Sequence, residues 1–128
     1  MAIELNHTIV PAHDPQVSAQ FLAGLLGLPV DPPVAHFTPV TLANGVSLDF
    51  DHYDHVDEHH YAFQLDDEEF QAAFGRISGR GITYYADPQC RQPGQVYTSK
   101  NGRRGTYFRD PDGHLMEILT AVKGELHQ

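Results

Sequence analysis

The chain has 128 residues, a formal charge of −9 and a single cysteine. That length suits one domain whose core needs no disulfides, and a lone cysteine excludes a disulfide framework or thiolate cluster. The negative charge repels nucleic acid and acidic membranes, and Lys100, Arg103 and Arg104 are too few to make a nucleic-acid groove.

No apolar run approaches the roughly 18–20 residues of a membrane span, and no charged segment precedes an apolar stretch as in a signal peptide. The expectation is a reduced, cytoplasmic protein without nucleic-acid or membrane partners. Cys90 lies in a loop-like run, residues 87–94, and reads as a bland thiol.

In chain order, residues 3–10 read as a strand. Asp14-Pro15 is a helix start, with a capping carboxylate and proline at the first helical position. Val17, Phe21 and Leu25 recur four apart as an apolar helix face, and Gly27 ends it. After Pro32-Pro33, residues 37–42 and 46–50 form a hairpin around Asn44-Gly45, with a further short strand near residue 30. The run 51–59 is polar, histidine-rich and connective.

A second unit repeats this plan. Strand 60–65 leads to Asp66 and Asp67, which cap a helix carrying Glu68 and Glu69 in its first turn. Phe70, Phe74 and Ile77 form its buried stripe, and Gly79 and Gly81 close it. Strands near 82–86, 104–109 and 114–122 follow, the last two joined by the turn Asp110-Pro111-Asp112-Gly113.

The repeat is explicit in register. A shift of 53 residues lays His7 on His60, Val10 on Phe63, Asp14 on Asp67, Val17 on Phe70 and Phe21 on Phe74. One structural unit is therefore used twice, and two imidazoles stand at equivalent points, as a shared metal site requires. By alternation, Tyr61, Phe63 and Leu65 face the core while His60, Ala62 and Gln64 do not. Val46, Leu48 and Phe50 face it while Ser47, Asp49 and Asp51 do not. Glu117 interrupts a last strand that is apolar on both faces; a buried carboxylate needs a partner, and a metal ion serves as one.

Leu5-Asn6-His7, the segment 21–27, the strand start His60-Tyr61-Ala62-Phe63 and above all the run 107–118 carry a family likeness. The chain resembles the vicinal oxygen chelate superfamily of glyoxalases, fosfomycin- and bleomycin-resistance proteins and extradiol dioxygenases. The resemblance covers essentially the whole chain. It implies an α+β fold in which two paired βαβββ modules, about 1–54 and 55–128 of a single domain, form a curled mixed-sheet cup.

Carried over by position, the resemblance implies a divalent ion held by His7, His60 and Glu117, with Asp49 where a fourth ligand lies. Asp49 is one methylene shorter than the usual glutamate, and ligation through water or a role as base stay open beside direct ligation. Two histidines and a carboxylate suit Mn²⁺, Fe²⁺, Ni²⁺, Co²⁺ or Zn²⁺ without choosing among them. Tyr107 and Arg109 are the expected substrate contacts; the resemblance turns Tyr107 inward, whereas a plain four-residue turn sets Thr106 and Phe108 against Glu117. His52, His55 and His59 read as linker decoration, and His36, His114 and His127 carry no pattern.

The function implied is a metal-dependent lyase or isomerase of glyoxalase type, acting on a small substrate with adjacent oxygens, with Glu117 and Asp49 as its working carboxylates. Small homodimeric relatives imply a homodimer. The alternatives are a metal-free drug-sequestering protein of bleomycin-resistance type and a small extradiol dioxygenase. The serine- and glycine-rich loop of the fosfomycin thiol transferases has no good counterpart in residues 99–105.

Overall fold

The structure, a computed structural model, describes residues 2–122, which divide between Asp57 and Glu58 into two compact units. His127 lies outside the described residues. The fold is α+β, with a helix and a mixed sheet in each unit. Among the described residues no helix is long and apolar enough to cross a membrane.

The first unit runs β1 (His7–Ala12), α1 (Pro15–Leu26), β2 (Thr38–Thr41) and β3 (Ser47–His52). Its sheet order is β1-β3-β2, with β1 parallel and β2 antiparallel to β3. The expected fourth strand near residue 30 is not formed, so this unit is βαββ rather than βαβββ. Pro29, Pro32 and Pro33 strip that segment of ladder donors, leaving an irregular stretch tied to β2 by Asp31 N–H to Pro39 O at 2.9 Å. The first strand also starts later than residue 3, because β3 offers its first pairing position at Ser47, opposite His7.

Asp14 caps α1 by accepting from the amides of Gln16 and Val17 at 3.2 and 3.3 Å, and Gly27 closes it at a φ of 74°. Its buried residues are Ser18, Ala19, Leu22, Ala23 and Leu25. Val17 is instead 50% exposed, which corrects the expected stripe. The inward face is centred on Ser18, Ala19, Leu22 and Ala23, of which even the nearest, Ser18, lies roughly 100° around the helix from Val17, so Leu25 lies at its edge and Val17 outside it.

The second unit runs β4 (His60–Leu65), α2 (Asp67–Gly79), β5 (Tyr84–Tyr85), β6 (Tyr97–Thr98), β7 (Arg104–Arg109) and β8 (Leu115–Thr120). The sheet order is β4-β8-β7-β5, with the unforeseen short strand β6 also paired to β7. Asp66 is the N-cap of α2, in a reciprocal box with Glu69, and Asp67 is the first helical residue. Phe70 and Ile77 are buried as expected, joined by Ala73. Phe74 is half-buried, stacked on Phe70 and edge-on to Tyr84.

Candidate metal centre

Strand pairing decides which side chains share a face. His60 pairs with Leu115 and Ala62 with Glu117 across the parallel β4–β8 ladder, so His60 and Glu117 lie on the same side two positions apart. Across β7–β8, Tyr107 is directly opposite Glu117 and Arg109 opposite Leu115. Thr106 and Phe108 point the other way and are fully buried. The open question of register is thus resolved in favour of Tyr107. The loop holds five residues, not four, because Gly113 at φ 87° adds a bulge that carries His114 into the turn.

Glu117 is 6% exposed and sits at the centre of this group. One oxygen, Oε1, lies 3.2 Å from Nε2 of His60. The other, Oε2, accepts the Tyr97 hydroxyl at 2.7 Å. The Tyr107 ring stands 6.0 Å from the His60 ring and 5.9 Å from the Tyr97 ring, centre to centre. Burial first, and then the charge of Glu117, push the Tyr107 phenol up to about 12. Burial, followed by the hydrogen bond to Glu117, moves Tyr97 upward as well. Both phenols are therefore protonated at neutral pH.

The tautomer of His60 follows from its other contact. Nδ1 lies 3.0 Å from Leu115 O, and a carbonyl oxygen only accepts, so Nδ1 carries the hydrogen. In a neutral ring Nε2 is then a lone pair aimed at a carboxylate oxygen. Two unprotonated acceptors at that distance repel; a proton on Nε2, which makes the pair an imidazolium–carboxylate ion pair, or a metal ion between them removes the conflict. Two ligand atoms at about 2.0–2.1 Å from one ion stand roughly 2.9–3.4 Å apart, so the pair fits a divalent metal. A ligand histidine that gives its second N–H to a backbone carbonyl is also the expected supporting arrangement.

Three sequence candidates remain. His7 starts β1 in the first unit, its Nδ1 2.8 Å from Asn6 Oδ1. An amide oxygen only accepts, so that contact puts a hydrogen on Nδ1 of His7. Asp49 is on the same sheet face, since β1–β3 pairing sets His7 against Ser47 and Ile9 against Asp49; Asp49 Oδ1 accepts the Ser47 hydroxyl at 2.6 Å. Arg109 shares the Glu117 face, but its guanidinium is engaged by Glu58 at 2.8 Å and Gly113 O at 2.9 Å. Among the described residues no group of three His, Cys, Asp or Glu side chains gathers to hold a metal ion. The second unit brings together His60, Glu117 and Tyr107.

Two residues escaped the sequence reading. Tyr97 lay in a stretch without strand periodicity, and its only signal was an aromatic ring beside a glycine-bearing strand. His114 is fully buried and its Nδ1 accepts the His59 amide at 3.0 Å, which ties the residue before His60 to the β7–β8 turn.

Residues 4–118 match the Glyoxalase/Bleomycin resistance protein/Dioxygenase superfamily, and the chain belongs to that family. The solved structure of Oxidase ChaP-H2 is 48% identical over 98% of both chains, with a TM-score of 0.92. Oxidase ChaP-H1 is 50% identical over 97% of this chain and 100% of its own, with a TM-score of 0.91. The metallothiol transferase FosB of Shouchella clausii (strain KSM-K16) is 30% identical over 66 residues, covering 52% of this chain and 40% of that protein.

Proposed function

We propose that this protein is a divalent-metal-dependent oxidase that binds a small substrate through two adjacent oxygens. The observation that carries the reading is the approach of His60 Nε2 to within 3.2 Å of the buried Glu117 carboxylate on one face of the β4–β8 ladder. The two oxidases, similar along nearly their whole length, favour oxidation by dioxygen over the lyase or isomerase chemistry expected from the sequence. FosB resembles only half of the chain.

His60 and Glu117 would hold the ion, with His7 as the third ligand. A bound ion supplies Lewis acidity that draws two neighbouring substrate oxygens together and stabilises their negative charge. The chain's own groups do the rest. The Tyr107 hydroxyl, protonated at neutral pH and hydrogen-bonded toward Glu117, stands on the same face, where turning from the carboxylate lets it donate to a substrate oxygen. The second oxygen of Glu117 is held by Tyr97, so the carboxylate keeps one orientation. Asp49, fixed by Ser47, is a carboxylate on the His7 face available to accept a proton.

In this reading the functional unit is a homodimer, in which His7 of one chain completes the His60–Glu117 pair of the other under a twofold axis. Its support is that proteins of this family are often dimers and that His7 and His60 open equivalent strands of the repeat. A stable monomer in light scattering at high concentration counts against it.

The test is reconstitution of tag-free, metal-stripped protein with Fe²⁺, Mn²⁺, Co²⁺, Ni²⁺ or Zn²⁺, followed by oxygen-electrode assays on catechols and related vicinal hydroxy compounds. Metal-dependent oxygen uptake supports the reading. Turnover of the glutathione hemithioacetal of methylglyoxal without oxygen uptake restores the lyase or isomerase. Tight binding of such compounds without metal or turnover supports a sequestering protein.

A further inference from the structure

Gly105 is not a glycine for its backbone's sake. Six described glycines have positive φ, and Gly105 is not one of them; any residue could adopt its conformation. What the position forbids is a side chain. A β-carbon on residue 105 would collide with the Tyr97 ring, with Cζ, Oη and Cε2 nearest. Tyr97 pairs with Gly105 across β6–β7, and Gly105 pairs with Leu119 across β7–β8. The bare strand at 105 is thus the seat over which the Tyr97 ring lies, and from that seat its hydroxyl reaches Oε2 of Glu117 at 2.7 Å.

The seat has a chemical consequence. A carboxylate with two open oxygens can swing between one-oxygen and two-oxygen ligation. Here Oε2 is occupied by a protonated phenol while Oε1 faces His60. We propose that Tyr97, seated on Gly105, is a positioning residue that restricts Glu117 to ligation through Oε1 alone, keeping coordination positions open for both oxygens of the substrate. This rests on the metal-centre reading above and adds to it a determinant of how many positions the ion offers.

The experiment uses full-length, metal-stripped protein and Co²⁺ as the probe, read by binding affinity and by the visible d–d spectrum at saturation. Tyr97→Phe keeps the ring and removes only the hydroxyl. It is expected to weaken Co²⁺ binding by about 10–100-fold, the usual effect of losing a group that orients a ligand, and to alter the spectrum of the saturated protein. Gly105→Ala is expected to produce the same two changes although Tyr97 is still present. In a Tyr97→Ala background Gly105→Ala adds nothing further, because the two residues act as one unit.

Wild-type protein that takes up no Co²⁺ overturns the metal centre and this inference together. Wild-type protein that binds Co²⁺, with Tyr97→Phe identical in affinity and spectrum, overturns the inference and leaves the metal centre standing. An equal loss from Gly105→Ala with and without the Tyr97 ring overturns the seat, since the glycine would then be serving strand packing. Should Gly105→Ala fail to fold, Tyr97→Phe decides the matter.

Discussion

His60 Nε2 and Glu117 Oε1 stand 3.2 Å apart while Nδ1 of His60 is turned to the Leu115 carbonyl; with Nε2 unprotonated the facing atoms are both acceptors, an arrangement that is unfavourable until a cation joins them. Glu117→Gln removes that conflict. The new amide donates to Nε2 of His60 while its oxygen continues to accept from Tyr97. In metal-free protein the variant should gain about 1 kcal/mol, the net worth of one hydrogen bond, and melt a few degrees higher. The same protein should lose metal uptake. Calorimetry of chelator-treated samples gives the first quantity and elemental analysis the second; a lower melting temperature for the metal-free variant refutes the facing-acceptor geometry.

Asp49 stands differently from Glu117. It is half-exposed, on β3 of the first unit, and already engaged by Ser47. His60→Ala and Glu117→Ala should abolish metal binding, whereas Asp49→Asn should cost no more than about 10–100-fold in affinity or turnover, as for a group outside the ligand set. Equilibrium dialysis against Zn²⁺ or Co²⁺ ranks the three. A complete loss in Asp49→Asn with retention in Glu117→Ala would reverse the ligand assignment.

Much of the fold was legible because the repeat duplicates local signals: His7 and His60 both open six-residue strands, and both helices start on an aspartate. The helix faces were less legible because the repeat slips. The caps Asp14 and Asp66 are separated by 52 residues, the strand starts by 53, since one more residue connects β1 to α1 than β4 to α2. At the shorter spacing Ser18 overlays Phe70 and Leu25 overlays Ile77, all buried. Residue identity alone could not show this. Tyr97 was invisible for another reason: its role depends on Gly105, eight residues away, which pairs with it only after the intervening loop folds back.

The cap of α2 provides a stability test remote from the metal ligands. Asp66 accepts the Glu69 amide at 2.7 Å, and Glu69 returns to the Asp66 amide at 3.1 Å. Asp66→Ala removes one half of the box and strands a helix-end amide, so it should cost about 1 kcal/mol. Urea unfolding of wild type and variant measures the difference. No change would mean that Asp67, Glu68 and Glu69 satisfy the helix end through its dipole alone.

Asp110 should make stability depend on acid pH in the sense opposite to that of most carboxylates. Its Oδ1 accepts the amides of Asp112 and His114, each at 2.9 Å. Its Oδ2 is buried and, among the described residues, has no hydrogen-bond partner. Burial pushes the carboxyl above its ordinary value of 3.8, outweighing the two amides and the neighbouring His114 ring, which pull it down. The folded protein therefore holds this proton more tightly than the unfolded chain. The stability that Asp110 contributes is complete below about 3.8 and is lost as pH rises through the elevated folded value. Asp110→Asn keeps the Oδ1 acceptor and cannot ionise. Relative to the variant, wild type should lose melting temperature as pH rises from 4 towards 7, with the difference levelling once the folded carboxyl has ionised. A difference that is flat over that range, or that runs the other way, would show that Oδ2 is solvated or paired in solution.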